Sequence, residues 1–146
     1  MTALLTRAAL VGAARGWLGT PYCHQASLRG AGCDCLGLVR GLWRDCIGPE
    51  PEPPPPYAPD WAEAGGEEQL ARACARFLRP VPVAAAGPGD VVLFRWRAGL
   101  PAKHCGVLTT PQTMIHAHDG LAVTEVPLGL WRRRLVLAFR FPGVID

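Results

Sequence analysis

The chain has 146 residues, 49% of them hydrophobic and 18% charged, with a formal net charge of +3. That length supports one domain with a real core and not two ordinary ones, and the composition is globular, not disordered. The charge excludes a nucleic-acid binder of the strongly basic kind, since the one dense run is Arg132-Arg133-Arg134, and no stretch approaches the length of a membrane span.

The opening stretch MTALLTRAALVGAARGWLG sets Leu4, Ala8, Val11 and Leu18 near one face and predicts a first helix over residues 3–18, ending at Gly19. Arg7 and Arg15 interrupt it, so it lacks the basic start and unbroken apolar run of a secretory signal. The expectation is synthesis in the cytoplasm without a signal peptide, where the six cysteines stay reduced. A Gly-rich loop, GTPYCHQASLRGAG, leads to a second helix that starts near Asp34 or Cys35, with Asp34 as its N-cap. Its stripe of Cys35, Val39, Leu42 and Cys46 faces the core, and Gly48-Pro49 ends it.

Residues 49–61, PEPEPPPPYAPDW, form an extended surface segment, because proline donates no backbone hydrogen bond; a stiff connector is the expected role. GEEQLARACARFLR makes a shorter third helix with Leu70, Cys74, Phe77 and Leu78 inward. After Pro88 the texture changes to DVVLFRW, HCGVLT, TMIHAH, LAVTEV and LVLAFRF, β-branched and aromatic runs separated by turn residues. Helices first and short antiparallel strands after give an α+β class, with the whole of residues 1–146 as a single domain.

Cys33 and Cys35 stand one residue apart just ahead of the second helix. A thiol at a helix start meets unpaired N–H groups and the positive end of the dipole, which favour a thiolate, and Cys35 has that place. A base is then required. His104 and His116 flank CGVLTTPQTMI, and a turn centred on Thr110 makes them direct cross-strand partners on one face of a hairpin. One imidazole can then act as base while the other orients it. The alternative is a zinc site using Cys33, Cys35 and histidines, but a single C-x-C with no second CxxC or HxxxH is a poor metal signature. Cys105 alternates away from the face of His104 and is expected in the core; Asp34 beside the thiol is assigned to capping.

Five blocks in this order resemble the NlpC-type cell-wall cysteine peptidases: GTPY (Gly19 to Tyr22), DCLGLV (Asp34 to Val39), GDVVLF (Gly89 to Phe94), HCGVL (His104 to Leu108) and MIHA (Met114 to Ala117). The family patterns are GxPY, DCSGLV, GDLVFF, HVGIY and IHA. The resemblance implies a papain-like α+β fold, with N-terminal helices packed on a C-terminal antiparallel sheet. It implies Cys35 as nucleophile, His104 as base, His116 as orienting group and Tyr22 as oxyanion donor, with no cofactor and no metal. The implied substrate is a peptidoglycan stem peptide, cut next to a D-γ-glutamyl unit and a diamino acid.

Two departures stand out, Leu36 where the family has serine and a loop without the family's WGG. The short chain, the missing signal and the proline stretch followed by PDW resemble the phage and gene-transfer-agent branch. That branch implies phage-like tail or baseplate partners, incorporation in a particle at the tail tip, and action on the periplasmic cell wall. The rival readings are a structural tail-tip protein on the same scaffold with little or no activity, and a small zinc-binding module.

Overall fold

Val91 to Phe94 are apolar at every position, a run that suits a strand covered on both faces. In the computed structural model, which describes residues 4–52, 54 and 68–145, this strand lies near the middle of the main sheet. The N-terminal elements are β1 (Leu5–Thr6), α1 (Arg7–Arg15), β2 (Ser27–Leu28), β3 (Gly32–Cys33), α2 (Cys35–Cys46) and α3 (Gln69–Phe77). There follow β4 (Arg79–Val81), β5 (Val91–Phe94), β6 (His104–Thr110), β7 (Thr113–His116), β8 (Thr124–Pro127), β9 (Leu135–Arg140) and β10 (Val144–Ile145). Six of these strands form one antiparallel sheet in the order β4-β9-β5-β6-β7-β8.

Both faces of the sheet are covered, so the strands alternate between two apolar layers. Leu93, Val107, Ile115 and Phe139 meet Leu10, Leu38, Leu42 and Leu70 of the helices. Val92, Phe94, Leu108, Met114 and Ala138 pack on the far side beneath Leu128 and Trp131. The fold is the expected α+β arrangement of N-terminal helices on a C-terminal antiparallel sheet.

The first helix is shorter than its periodicity suggests. Leu5 and Thr6 pair in parallel with Val144 and Ile145, and the Thr6 hydroxyl accepts from the Ala9 N–H as the N-cap. The buried residues are Leu10, Val11, Ala14 and Trp17, while Leu4 is 73% exposed and Leu18 42%. A partner strand from the far end of the chain thus claims the residues that local spacing assigns to helix. On α2, Val39 and Leu42 are buried as expected, but Cys35 and Cys46 are only half-buried; Leu36 and Leu38 complete the core. Leu70 and Cys74 of α3 are buried and Phe77 half-buried. Most of the expected proline-rich segment, and the start of the expected third helix, lie outside the described residues. Within its described part, Glu50 binds Arg40 and Arg44 of α2.

The β6–β7 register is two residues from the expected one. Val107 faces Ile115 and Leu108 faces Met114, because Thr110 still belongs to β6 and the ladder is irregular between Leu108 and Thr110. Hydroxyl contacts of Thr109 and Thr110 with Thr113 close the turn over Pro111-Gln112. An even shift keeps every side chain on its own face, so His104 and His116 still share one. They are now diagonal neighbours. Gly106 occupies the place between them, where a Cβ would come within 2.8 Å of the Met114 sulfur and 3.3 Å of the His116 Cβ.

Two glycines let α2 sit close to its neighbours. A Cβ at Gly37 would stand 1.9 Å from the Ala26 carbonyl oxygen, and one at Gly41 would stand 2.0 Å from the Trp17 ring. Trp17 is held by its indole N–H donating to Asp45 at 2.9 Å. Gly41→Ala is therefore expected to cost roughly 1–3 kcal/mol by overpacking. Gly12→Ala, in α1 with open space around it, should be neutral or stabilising by up to about 1 kcal/mol. Urea unfolding of the two variants beside the parent protein checks both; a Gly41→Ala midpoint equal to the parent's would mean that Trp17 can move aside.

Candidate active site

Asp34 fixes the start of α2. Its Oδ1 accepts from the Gly37 N–H and its Oδ2 from the Gln25 N–H, both at 2.7 Å. Gln25 has φ 65°, a left-handed conformation that this bond helps to hold. The same loop runs beside β3: the Cys33 N–H donates to the Pro21 carbonyl and the Cys23 N–H to the Cys33 carbonyl, each at 3.0 Å. Tyr22 bridges to Cys33 at this point, and it lines the same cleft as Cys35, the first residue of α2.

Cys35 is half-buried, packs against the cluster that holds Cys105 and shares a cleft with His104. The neighbouring Cys105 and His104 side chains, Cys105 foremost, hold its thiol well below the ordinary range. Burial and the Asp34 charge push the other way and are outweighed. His104 in turn meets His116, Nε2 to Nδ1 at 2.8 Å, with both rings buried. With Nε2 engaged there, Nδ1 is the nitrogen of His104 left to face the thiol. Burial lowers the His116 pKa to about 3, with the neighbouring His104 and His118 adding to the effect. His116 therefore stays neutral at ordinary pH and can accept at Nδ1 from a His104 imidazolium. Burial also raises the Tyr22 phenol, with the Cys35 and Asp34 charges adding, so Tyr22 remains a proton donor.

The four residues singled out from the sequence, Cys35, His104, His116 and Tyr22, are thus brought together. Cys35, His104 and Tyr22 line an open cleft of about 620 Å³, with His24, Trp96 and His118 on its walls. Cys33 lies outside it, fully buried, its thiol pushed up to about 12 by burial and the nearby Asp34 charge. Among the described residues no group of three or more His, Cys, Asp or Glu side chains could hold a metal ion.

Sequence reasoning missed the aromatic cage. Trp96 lies nearly parallel to His104 at a centroid separation of 6.0 Å, and Trp131 lies 5.2 Å from His104 and 5.3 Å from His116. Trp96 follows Phe94 at strand parity and was open to that argument. Trp131 sits in a 3-10 turn over Gly129–Arg134, where no periodicity points to a face. Cys105 was legible as a core residue, but its contact with Cys35 was not.

The profile of the NlpC/P60 family matches residues 19–140. The chain belongs to the NlpC/P60 family. Among solved structures, the NlpC/p60 domain of the peptidoglycan hydrolase SagA is similar at 21% identity and a TM-score of 0.63, over 92% of this chain and 98% of that one. An NlpC/P60 family protein from Bacillus cereus is 19% identical with a TM-score of 0.69, over 95% of this chain and 41% of its own. A lipoprotein-like NLP/P60 protein from Staphylococcus aureus is 18% identical with a TM-score of 0.60, over 96% and 42%. The chain spans less than half the length of the last two. At these identities the likeness is one of fold, papain-like and α+β. No curated protein is significantly similar in sequence.

The neutral His116 has a thermodynamic consequence. Its folded pKa of about 3 lies below the ordinary 6.5, so between those values the unfolded chain binds a proton that the folded one refuses. The stability it contributes is whole above about pH 6.5 and drains away as the pH falls toward 3. In His116→Asn that sensitivity should vanish, so the stability difference between parent and variant should narrow on acidification. Urea midpoints measured from pH 7.5 down to pH 4.5 check this; parallel curves for the two proteins would contradict a neutral His116.

Proposed function

We propose that the protein is a peptidoglycan endopeptidase that cuts stem peptides, with Cys35 as nucleophile, His104 as base and His116 as orienting group. One observation carries the reading: a thiol at the start of a capped helix shares an open cleft with a histidine that is hydrogen-bonded to a second, neutral histidine.

The Cys35 thiolate attacks the peptide carbonyl, and the new oxyanion is met by the Cys35 backbone N–H and the Tyr22 hydroxyl. The first-turn N–H groups of a helix have no intrahelical acceptor, which leaves that of Cys35 for this role. His104, as imidazolium, gives its Nδ1 proton to the departing amine while its Nε2–H stays donated to His116. The acyl group is then on sulfur. His104, now neutral, takes a proton from water, which attacks the thioester and releases the acid. The sulfur leaves as thiolate beside a renewed imidazolium, and the cycle closes.

The bond cut lies, on this reading, next to a D-γ-glutamyl unit and a diamino acid. The proline stretch followed by PDW supports a setting in a phage-like or gene-transfer-agent tail. There the chain serves as a peptidase domain carried in the particle to the periplasmic wall. Mass spectrometry of purified particles tests that setting, and absence of the chain from them sinks it.

Cys35→Ser should lose stem-peptide hydrolysis by roughly 10⁴-fold or more with the fold intact, while Cys33→Ser keeps most of it. Tyr22→Phe removes one oxyanion donor and should lower kcat roughly a hundredfold with little change in KM. Steady-state kinetics on a defined stem peptide separate these outcomes. Equal loss in Cys33→Ser and Cys35→Ser would overturn the assignment of the nucleophile, and wild-type turnover in Tyr22→Phe would reduce Tyr22 to a packing residue.

A further inference from the structure

Lys103 is the one lysine of the chain, and it stands directly before His104. It lines the cleft beside Trp96, and its backbone N–H donates to the Phe94 carbonyl at 3.0 Å. Its ammonium lies 5.5 Å from the Trp96 ring centroid, and the Arg134 guanidinium lies 5.4 Å from the same ring. Arg134 is exposed at the end of the 3-10 turn, where its carbonyl accepts from the Arg95 N–H at 2.9 Å. Because Trp96 lies nearly parallel to His104, two cations gather on an indole that flanks the base. The mechanism above uses neither of them.

We infer that Lys103 and Arg134, held on Trp96, form a subsite for a carboxylate of the bound stem peptide. The inference rests on the peptidase reading of this cleft and names what the cleft selects. Attraction to the indole holds each cation in place, while the two like charges repel each other. A carboxylate that meets both relieves the repulsion and takes charge-assisted hydrogen bonds from an ammonium and a guanidinium fork. Among the described residues no carboxylate forms an ion pair with Arg134. The carboxylates that line the cleft are Asp34 and Asp119. Asp34 is buried with both oxygens taken by N–H groups, and Asp119 is exposed in the turn after His118. Both repel an anion, which leaves the Trp96 side as the place where one is accepted. A γ-linked glutamyl unit uses its side-chain carboxyl for the peptide bond and keeps its α-carboxyl as an anion close to the carbonyl under attack. That anion is the group the subsite fits.

Two stem peptides that differ only at this group, an α-carboxylate in one and an α-carboxamide in the other, test the inference. Wild-type protein should cut the carboxylate form with roughly tenfold higher kcat/KM. Lys103→Met and Arg134→Met keep an apolar stem on Trp96 and remove the charge. Each should lower that preference, and the double variant should bring it close to parity. Lys103→Arg keeps a cation and should keep the preference. Calorimetry of both peptides on Cys35→Ala reads the same preference without hydrolysis. Equal turnover of the two peptides by wild type overturns the subsite. So does an equal fractional loss on both peptides in the methionine variants, the pattern of a structural role or of a general attraction to an anionic wall. Selective binding of the carboxylate peptide with cleavage of neither would overturn the peptidase reading and leave the subsite standing; binding of neither peptide overturns both.

Discussion

The arrangement depends on where α2 begins. The Asp34 carboxylate takes one N–H from the helix and one from the preceding loop, and these two bonds decide that Cys35 is the first helical residue. An N-cap of this kind is worth about 1 kcal/mol in stability. Its larger effect is geometric, because the same carboxylate ties down the loop that carries Tyr22. The arrangement has a cost, since the Asp34 charge opposes ionisation of the neighbouring thiol. Capping and chemistry thus pull on one residue in opposite directions. The neighbouring His104 and Cys105 of β6 tip the balance toward the ionised sulfur.

β6 enters the site from its first residue, His104. His104 and Cys105 leave opposite faces of the strand, His104 into the cleft that Cys35 lines and Cys105 into the apolar cluster against which Cys35 packs. The His104–His116 contact needs a different device. At the observed register the two residues are diagonal, a separation that side chains bridge when the intervening position is small. Gly106 supplies that space. Burial then keeps His116 neutral, which makes it an acceptor for His104 and not a competing cation. The indoles of Trp96 and Trp131 close round the pair and shield it from water. Elsewhere, buried Asp90 is held by a two-point contact with Arg140 and by Arg7, which joins β5, β9 and α1 behind the site.

Much of this was legible in the sequence because it rests on local rules. The cap at Asp34, the helix start at Cys35 and the strand character after Pro88 follow from residue type and spacing. The shared face of His104 and His116 survived a register error of two, since side-chain direction in a strand depends only on parity. Interactions between distant segments escaped. The residues before Arg7 read as helix, but Val144 and Ile145 claim them as a strand. Trp131 approaches the histidines from a 3-10 turn on the far side of the sheet, where no pattern in its own neighbourhood announces it. Cys105 was read correctly as inward-facing, yet which element lies inward of it is a matter of tertiary packing. The NlpC-type blocks supplied roles for the site residues that spacing alone left open between a catalytic thiol and a zinc ligand.

The central claim is that these side chains together make a working endopeptidase of the cell wall. Purified peptidoglycan incubated with wild-type protein, with the released fragments identified by mass spectrometry, tests it most directly. The account predicts stem peptides split at one recurrent position, each cut adding one water and exposing one new amine, with the glycan strands left whole. Release of no fragments by folded protein with an intact Cys35 thiolate would contradict it, as would cleavage confined to the glycan.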